Sequence, residues 1–310
     1  MDPLAPDLPP RRAFPWWGVL PVLVPWLWFL TRDHGPWWDR IAIAMPALAL
    51  IALLAWAFLV FFRRWVAAAT ALSLLIVCLV SIVGPRLPQR SGTPARPIRI
   101  ASDNVFATSL WPGLAAETMT GRGADVIVSV EMGRPYWEHL QEYSEAYPYT
   151  ANSSEQSVLS RWPVTLLPLP PPLPTDRIMR AALEVEGQRV VIYAVHLPNP
   201  LHETTFTAQR RLLVNLIHAV EAETDPVIVA GDLNLSDRSE GYRLLDQRFD
   251  DAMRTGWWAA STYRHGLWRA LMLRIDHLFV PEDWCSVGAG TFMVPGSDHM
   301  AVEATVGPCA

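Results

Sequence analysis

The segment PVIVAGDLN, residues 226–234, decides the fold of the C-terminal part of this chain. Its run of β-branched and small apolar residues predicts a buried strand, and the change to Gly, Asp and Asn predicts where that strand ends. The same pattern recurs along the chain and predicts strands at 98–105, 124–132, 188–197 and 274–280, and a closing hairpin formed by 285–294 and 299–306.

Helical patterns lie between these strands. Residues 203–222 carry apolar residues at helical spacing, and residues 110–121 and 239–247 do so more weakly. Strands mixed with a few helices predict an α/β layered domain that occupies residues 98–310. The proline-rich run at 163–174 predicts a rigid surface loop, because proline cannot donate to a strand ladder.

Polar residues fall at or near the ends of the predicted strands, where loops can gather them into one cleft. Taken alone, each is an ordinary turn former or a hydrogen-bonded structural residue. Their repeated occurrence at strand ends favours a shared active site. The residues concerned are Asn104, Glu131, His196, Asp232, Asn234, Asp276, Asp298 and His299.

The order of these residues along the chain carries a resemblance to a known family. Residues 98–310 resemble the endonuclease/exonuclease/phosphatase superfamily, which implies a two-layer β-sandwich flanked by helices and hydrolysis of phosphate esters with a divalent metal. The matching strings are Asn104, Glu131, LSRWP at 159–163, HLPNP at 196–200, GDLN at 231–234, IDH at 275–277 and SDH at 297–299.

The resemblance also implies a metal site. Glu131 offers a hard oxygen ligand of the kind that Mg²⁺ or Mn²⁺ prefers, and Asn104 and Asp298 resemble its helpers. Asp232 resembles the residue that orients or deprotonates the attacking water. Asn234 would hold that water or a phosphate oxygen.

The two histidines resemble groups that flank the scissile phosphate. His196 and His299 would act there as donors or as acid/base groups, and Asp276 would fix the tautomer of His299. Whether Asp232 or His299 removes the proton stays open, as does the choice between one metal and two. Arg161 is expected to support the cleft, and His277 to be structural.

The N-terminal part of the chain has a different composition. Residues 1–84 contain uncharged apolar runs at 13–30, 41–62 and 65–84, which predict a membrane domain with three transmembrane helices. The first run is broken by prolines, and a cleaved signal peptide is the alternative for it. Residues 85–97 are rich in proline and arginine and predict a short linker.

Charge and cysteines bear on topology. Arginine pairs at 11–12 and 63–64 would lie on the cytoplasmic side, which places the catalytic domain outside the cell, although arginines at 86, 90, 96 and 99 weaken this rule. Cys285 and Cys309 flank the closing hairpin and predict a disulfide, as expected of an extracytoplasmic domain. We therefore predict a multi-pass protein of the cell membrane.

Composition narrows the substrate class. Residues 98–310 contain 16 arginines and 26 acidic residues, and this excess of negative charge disfavours a nucleic-acid partner. The apolar loop at 256–273 leads directly to Asp276 and could enter a membrane interface. These features favour a lipid-linked phosphate or pyrophosphate as the substrate.

The overall layout resembles a membrane-anchored bacterial branch of the superfamily that contains the teicoplanin-resistance protein VanJ. That resemblance implies undecaprenyl pyrophosphate as the substrate, with a role in recycling the cell-wall lipid carrier and in glycopeptide resistance. An extracellular metal-dependent nuclease or another phosphodiesterase is the alternative. A binding module that has lost catalysis is the third hypothesis.

Overall fold

The structure is a computed structural model that describes residues 20–31, 36–88, 92–256 and 261–310. Parts of three predicted features lie outside the described residues. These parts are residues 13–19 of the first predicted span, residues 89–91 of the predicted linker, and residues 257–260 of the apolar loop.

The described residues of the C-terminal part form two six-stranded mixed sheets. The strands, in chain order, are β1 (Ile98–Asn104), β2 (Val126–Val130), β3 (Tyr149–Asn152), β4 (Ser157–Ser160), β5 (Val164–Leu167), β6 (Ile178–Val185), β7 (Gln188–His196), β8 (Val227–Asp232), β9 (Asp250–Asp251), β10 (Asp276–Val280), β11 (Trp284–Met293) and β12 (Met300–Pro308). The first sheet has the order β11-β12-β1-β2-β4-β3, and the second has the order β5-β6-β7-β8-β10-β9.

The helices lie on the outer faces of the sheets and in the N-terminal part. They are α1 (Leu20–Leu30), α2 (Pro36–Ile43), α3 (Met45–Phe61), α4 (Trp65–Val83), α5 (Pro112–Gly121), α6 (Arg134–Leu140), α7 (Glu203–Glu221) and α8 (Glu240–Asp246). Helices α5 and α6 pack on the first sheet, and α7 and α8 pack on the second.

The main core lies between the two sheets, because alternate residues of each central strand point inward. Ile100 and Val128 of the first sheet pack in one cluster with Ile192, Ala230 and Leu278 of the second. The intervening residues face the helices. The two-layer sandwich with flanking helices that the family resemblance implies is confirmed.

Several strands were missing from the sequence prediction. Residues 164–167 form β5, so the prediction of a loop over the whole of 163–174 was wrong. This tetrapeptide lacks proline and lies at a sheet edge, where only one side must be paired. Strands β3 and β4 are too short to show a periodicity, and Arg180 and Glu184 interrupt the apolar pattern of β6.

The N-terminal helices differ in part from the predicted spans. By length and apolar composition alone, the helix at Trp65–Arg86 could cross a membrane, a test that core helices and signal sequences also pass.

The predicted span at 41–62 is not one straight helix. It breaks at Ala44, and the helices on either side are bent by 64°. Pro46 lies in the first turn of α3, since proline lacks the N–H that would continue α2. Helix α1 is shorter, with 11 residues.

The described ends of the predicted linker at 85–97 are packed against the domain that follows. Arg86 is only 6% exposed. Arg254 donates to the carbonyl oxygens of Gly84 and Leu87, and Arg274 donates to that of Pro85. These residues are therefore held against the domain that follows, since arginine side chains satisfy the last carbonyl groups after α4.

The closing hairpin carries a disulfide between Cys285 and Cys309, with their Cα atoms 4.9 Å apart. In the strand register Cys285 lies opposite Gly307, and Cys309 forms a separate bridge to Pro94. The disulfide therefore joins Cys285 to the residue two positions beyond its direct partner in the β-ladder.

Gly231 has a backbone requirement that can be tested. Its φ is +131°, and a Cβ there would collide with the backbone carbonyl of Val195 in β7. We expect Gly231→Ala to lower the free energy of unfolding by on the order of 3 kcal/mol, measured by denaturant unfolding in detergent.

Gly121→Ala is the matched control, because a Cβ at Gly121 meets nothing within 4 Å. Equal stability of the two variants would show that β7 and β8 do not approach each other this closely at Gly231.

Candidate active site

The register of the second sheet brings three polar side chains together. Strands β7 and β8 are parallel and pair His196 with Asp232, and β10 runs antiparallel to β8 and pairs Asp276 with Asp232. Side chains two residues apart in a strand point to the same face. His196, Asp232 and Asp276 each lie two residues from a residue of the core between the sheets, and these core residues are Ala194, Ala230 and Leu278 in that order. Their side chains therefore share the inner face of the sheet.

The first sheet supplies two further groups across the gap. Asn104 ends β1 on the inner face, and Glu131 directly follows β2. The amide Nδ2 of Asn104 donates to Asp232 Oδ2 at 3.0 Å and joins the two sheets. Glu131 and Asn234 have φ values of +51° and +50°, which are costly for residues with a Cβ. Backbone strain of this kind concentrates at functional sites.

His299 is held by a carboxylate. Its Nδ1 donates to Asp276 Oδ2 at 2.8 Å, and its Nε2 lies 3.8 Å from Asp232 Oδ2. Burial disfavours the imidazolium, but the charges of Asp276 and Asp232 outweigh burial and raise the pKa of His299 to about 10. The predicted contact between Asp276 and His299 is present in the structure.

His196 pairs with Glu131 at 2.9 Å, through Nε2 and Oε1. Burial is the largest single effect and opposes the charge on each partner. The hydrogen bond between them and the nearby charges together outweigh burial, which raises the pKa of His196 and lowers that of Glu131. Nη1 of Arg177 lies 3.4 Å from Nδ1 of the same imidazole. His196 is therefore fixed on both sides.

Asp232 is the centre of the arrangement and is 2% exposed. Burial raises its pKa to about 6, although the nearby His299 lowers it. The backbone N–H of Asn234 donates to Asp232 Oδ1 at 2.8 Å, and its Nδ2 donates to Asp232 Oδ2 and to the carbonyl oxygen of Leu197. These contacts favour a positioning role for Asn234 over direct contact with phosphate.

Two groups of ligand atoms are close enough to hold a cation. The atoms of Glu131, His196 and Asp232 lie within 4.8 Å of one another, as do those of Asp232, Asp276 and His299. The donor set fits a Mg²⁺-type ion, because it is rich in carboxylate oxygens. Oδ1 of Asp276 is buried and has no hydrogen-bond partner among the described residues, which also fits a cation bound beside it.

The structure thus gathers seven of the eight predicted site residues at one point. Asp298 lines the same cleft and helps to raise the pKa of His299, but within the described residues its carboxylate belongs to neither ligand group. Arg161 lies elsewhere, contrary to expectation. It binds Asp125 and the carbonyl oxygen of Gly123, at the opposite end of β2 from Glu131.

His277 lies outside the site, as expected. It faces the other side of β10, where its Nε2 contacts the carbonyl oxygen of Leu235 at 2.8 Å. Alternation along the strand explains this, because Asp276 and His277 must point in opposite directions.

Several residues of the site were not predicted. Thr262 accepts hydrogen bonds from the N–H groups of Ile275 and Asp276, and Ser297 links the carbonyl oxygen of Asn104 to the N–H of His299. No local pattern signals these contacts, although Ser297 belongs to the SDH string. The cleft has a volume of about 590 Å³ and is also lined by residues that the sequence analysis did not connect with the site, including Asp39, Ile43, Phe106 and Arg177. Tyr263 and Trp268 of the predicted apolar loop at 256–273 line it as well.

A two-sheet sandwich whose inner strand ends present carboxylates, histidines and asparagines to one cleft defines a class of hydrolases that act on phosphoesters. A family model described as "Endonuclease/Exonuclease/phosphatase family" matches residues 101–299. The chain belongs to this family, whose members are phosphoester hydrolases such as nucleases and phosphatases and typically depend on a divalent metal.

Solved structures show the same fold at low sequence identity. An endonuclease/exonuclease/phosphatase from Beutenbergia cavernae is 19% identical, with a TM-score of 0.58 over 69% of this chain and 72% of that chain. A humanized D. rerio TDP2 is 18% identical, with a TM-score of 0.56 over 68% and 99%. Sphingomyelinase C from Streptomyces griseocarneus is 17% identical, with a TM-score of 0.50 over 69% and 99%. No curated protein sequence matches the chain significantly.

The contact between Asp276 and His299 makes a measurable prediction. We expect Asp276→Asn to lower the pKa of His299 by about two pH units, because the variant removes the adjacent negative charge. The pKa is measured by NMR titration of the histidine rings in metal-free protein.

Asp225→Asn serves as the control, because Asp225 precedes β8 and lies at the opposite end of that strand from Asp232. If both variants leave the titration of His299 unchanged, Asp276 does not set its charge.

Proposed function

We propose that this protein is a membrane-anchored, Mg²⁺-dependent phosphohydrolase that cleaves a lipid-linked pyrophosphate such as undecaprenyl pyrophosphate. The observation that carries the proposed reaction is the convergence of Glu131, His196, Asp232, Asp276 and His299 in one cleft. A role in recycling the cell-wall lipid carrier, and through it in glycopeptide resistance, would follow from that substrate.

Glu131, with Asn104 and Asp298 as helpers, would hold the metal, and Asp232 lies close enough to contribute an oxygen. Mg²⁺ is the preferred ion and Mn²⁺ is the alternative, since both favour oxygen ligands. When bound, the ion supplies positive charge that offsets the negative charge building on the phosphoryl oxygens.

The remaining steps of the proposed reaction are assigned to side chains of the protein. Asp232 accepts the proton of the attacking water, because it is a buried carboxylate that Asn104 and Asn234 orient. His299, held protonated by Asp276, donates to a phosphoryl oxygen and stabilises its charge. On the other side of Asp232, His196 holds Glu131, and Arg177 lines the cleft beside it, where its guanidinium can bind a second phosphate oxygen.

Membrane attachment is supported by the surface of the N-terminal helices. Helix α3 buries only Met45, Ala49 and Ala52 of its 17 residues, which is unlike a core helix. Exposed apolar surface of this extent requires an apolar environment. Large apolar side chains point outward from three of the helices, among them Leu23, Leu27, Leu50, Leu54, Phe58 and Leu79.

Placement of the catalytic domain outside the cytoplasm is supported by the disulfide, because such bonds persist in oxidising compartments. The chain has three cysteines, and Cys78 is the free one. We expect protein purified from membranes to show one free thiol when denatured without reductant, and three after reduction. Two or more thiols before reduction would oppose an extracytoplasmic domain.

The proposed reaction is tested with the full-length protein in detergent, using farnesyl pyrophosphate as the substrate. We expect Mg²⁺-dependent release of phosphate, its loss with a chelator, and its recovery on adding Mg²⁺. Nicking of plasmid DNA without phosphate release would instead favour the nuclease or phosphodiesterase alternative.

Asp232→Ala is expected to lower kcat by about a thousandfold or more while the protein still folds, because a general base alone contributes factors of this size. Asp225→Ala, a substitution of the same type at the far end of β8, should leave kcat within about twofold. Full turnover by the Asp232 variant would show that the active site has been misassigned.

A further inference from the structure

Helix α2 is attached directly to the catalytic domain. The carboxylate of Asp39 accepts a hydrogen bond from the N–H of Glu240 at 2.9 Å, at the start of α8. Arg238 donates to the carbonyl oxygen of Ala42 at 3.0 Å. These contacts come from buried groups of the catalytic domain, so the position of α2 is fixed with respect to the active site.

A third contact ties α2 to another part of the cleft lining. Nη2 of Arg40 donates to the carbonyl oxygen of Leu201 at 3.0 Å. Leu201 lies in the loop after β7, five residues beyond His196. Helix α2 therefore spans from the start of α8 to the loop that follows a catalytic strand.

One face of α2 lines the cleft. Asp39 and Ile43 line the same cavity as Glu131, Asp232 and His299. Ile41, two residues before Ile43, lines a different space, the apolar groove between α1, α3 and α4. One helix thus separates the catalytic cleft from the groove among the apolar helices.

The cleft has apolar lining residues, although the groups at its centre are ionic. Leu201, Trp268 and Leu273 line the cleft together with Ile43. Directly after Ile43 the chain bends by 64° into α3, the apolar helix that buries only three of its 17 residues. Ile43 therefore stands where the cleft meets the apolar helices.

We propose that α2 forms one wall of the substrate site and that Ile43 contacts the apolar chain of a lipid-linked phosphate where the cleft meets the apolar helices, beyond the first prenyl unit. This inference rests on the proposed function, since it assigns the apolar part of the same substrate. Contact with Ile43 favours long-chain substrates over short-chain ones, because each methylene that leaves water adds to binding. Asp39 keeps α2 in place and is a positioning residue.

The test compares two pyrophosphates that share the reacting group and differ in chain length, farnesyl pyrophosphate and isopentenyl pyrophosphate. For each full-length variant, kcat/KM is measured with both substrates at one detergent concentration, and the ratio of the two values is the readout. We expect Ile43→Ala to lower the farnesyl-to-isopentenyl ratio about tenfold, the size of effect expected for losing a few methylene contacts.

Ile41→Ala is the matched control, with the same substitution on the same helix but on the side away from the cleft. Its ratio should stay within about twofold of the wild-type ratio. Ile43→Val removes less of the side chain and should give an intermediate ratio, which keeps the test decisive if Ile43→Ala folds poorly.

Equal ratios for wild type, Ile43→Val and Ile43→Ala would overturn the inference while leaving the proposed function intact. A fall in the ratio for Ile41→Ala as large as that for Ile43→Ala would also overturn it, because the chain would then lie in the groove. A wild-type protein that hydrolyses neither pyrophosphate would contradict the proposed function and this inference together.

Discussion

The pairing of β8 with its two neighbours is the constraint on which the site depends. His196, Asp232 and Asp276 occupy adjacent positions of three hydrogen-bonded strands, and all three face the gap between the sheets. A shift of any of these strands by one residue would turn its polar side chain toward the helices. Gly231 permits the close approach of β7 and β8 that this register requires. The backbone register thus places the three candidate catalytic groups next to one another.

Charge is the second constraint. Asp232 and Asp276 are almost completely buried beside each other, and Glu131 lies nearby. Buried carboxylates are stable only when positive groups or hydrogen-bond donors balance them. Here His299, His196 and the asparagine amides supply part of that balance. A divalent cation would supply the remaining positive charge. The buried carboxylates that lower the stability of the fold are therefore the same groups that could bind a metal for phosphate chemistry.

The N-terminal helices are connected to this site by hydrogen bonds from arginine side chains to backbone carbonyl oxygens. Arg238 binds Ala42, Arg254 binds Gly84 and Leu87, and Arg274 binds Pro85. These bonds do not depend on the side chains of the helices, because the acceptors are main-chain carbonyl groups near helix ends. They orient the catalytic cleft relative to the apolar helices, which a flexible linker would not do.

The sequence by itself determined the central strands, the helix at 203–222 and the site residues at strand ends, because apolar periodicity and its interruption are local properties. It did not reveal β3 to β6, the break at Ala44 or the true place of Arg161, since edge pairing and packing depend on distant partners. Only the tertiary structure brought Asp39 and Ile43 of α2 into the cleft, across about 190 residues of chain. Local sequence specifies which face of a strand or helix is apolar, whereas the partner of that face is chosen by the packing of the whole chain.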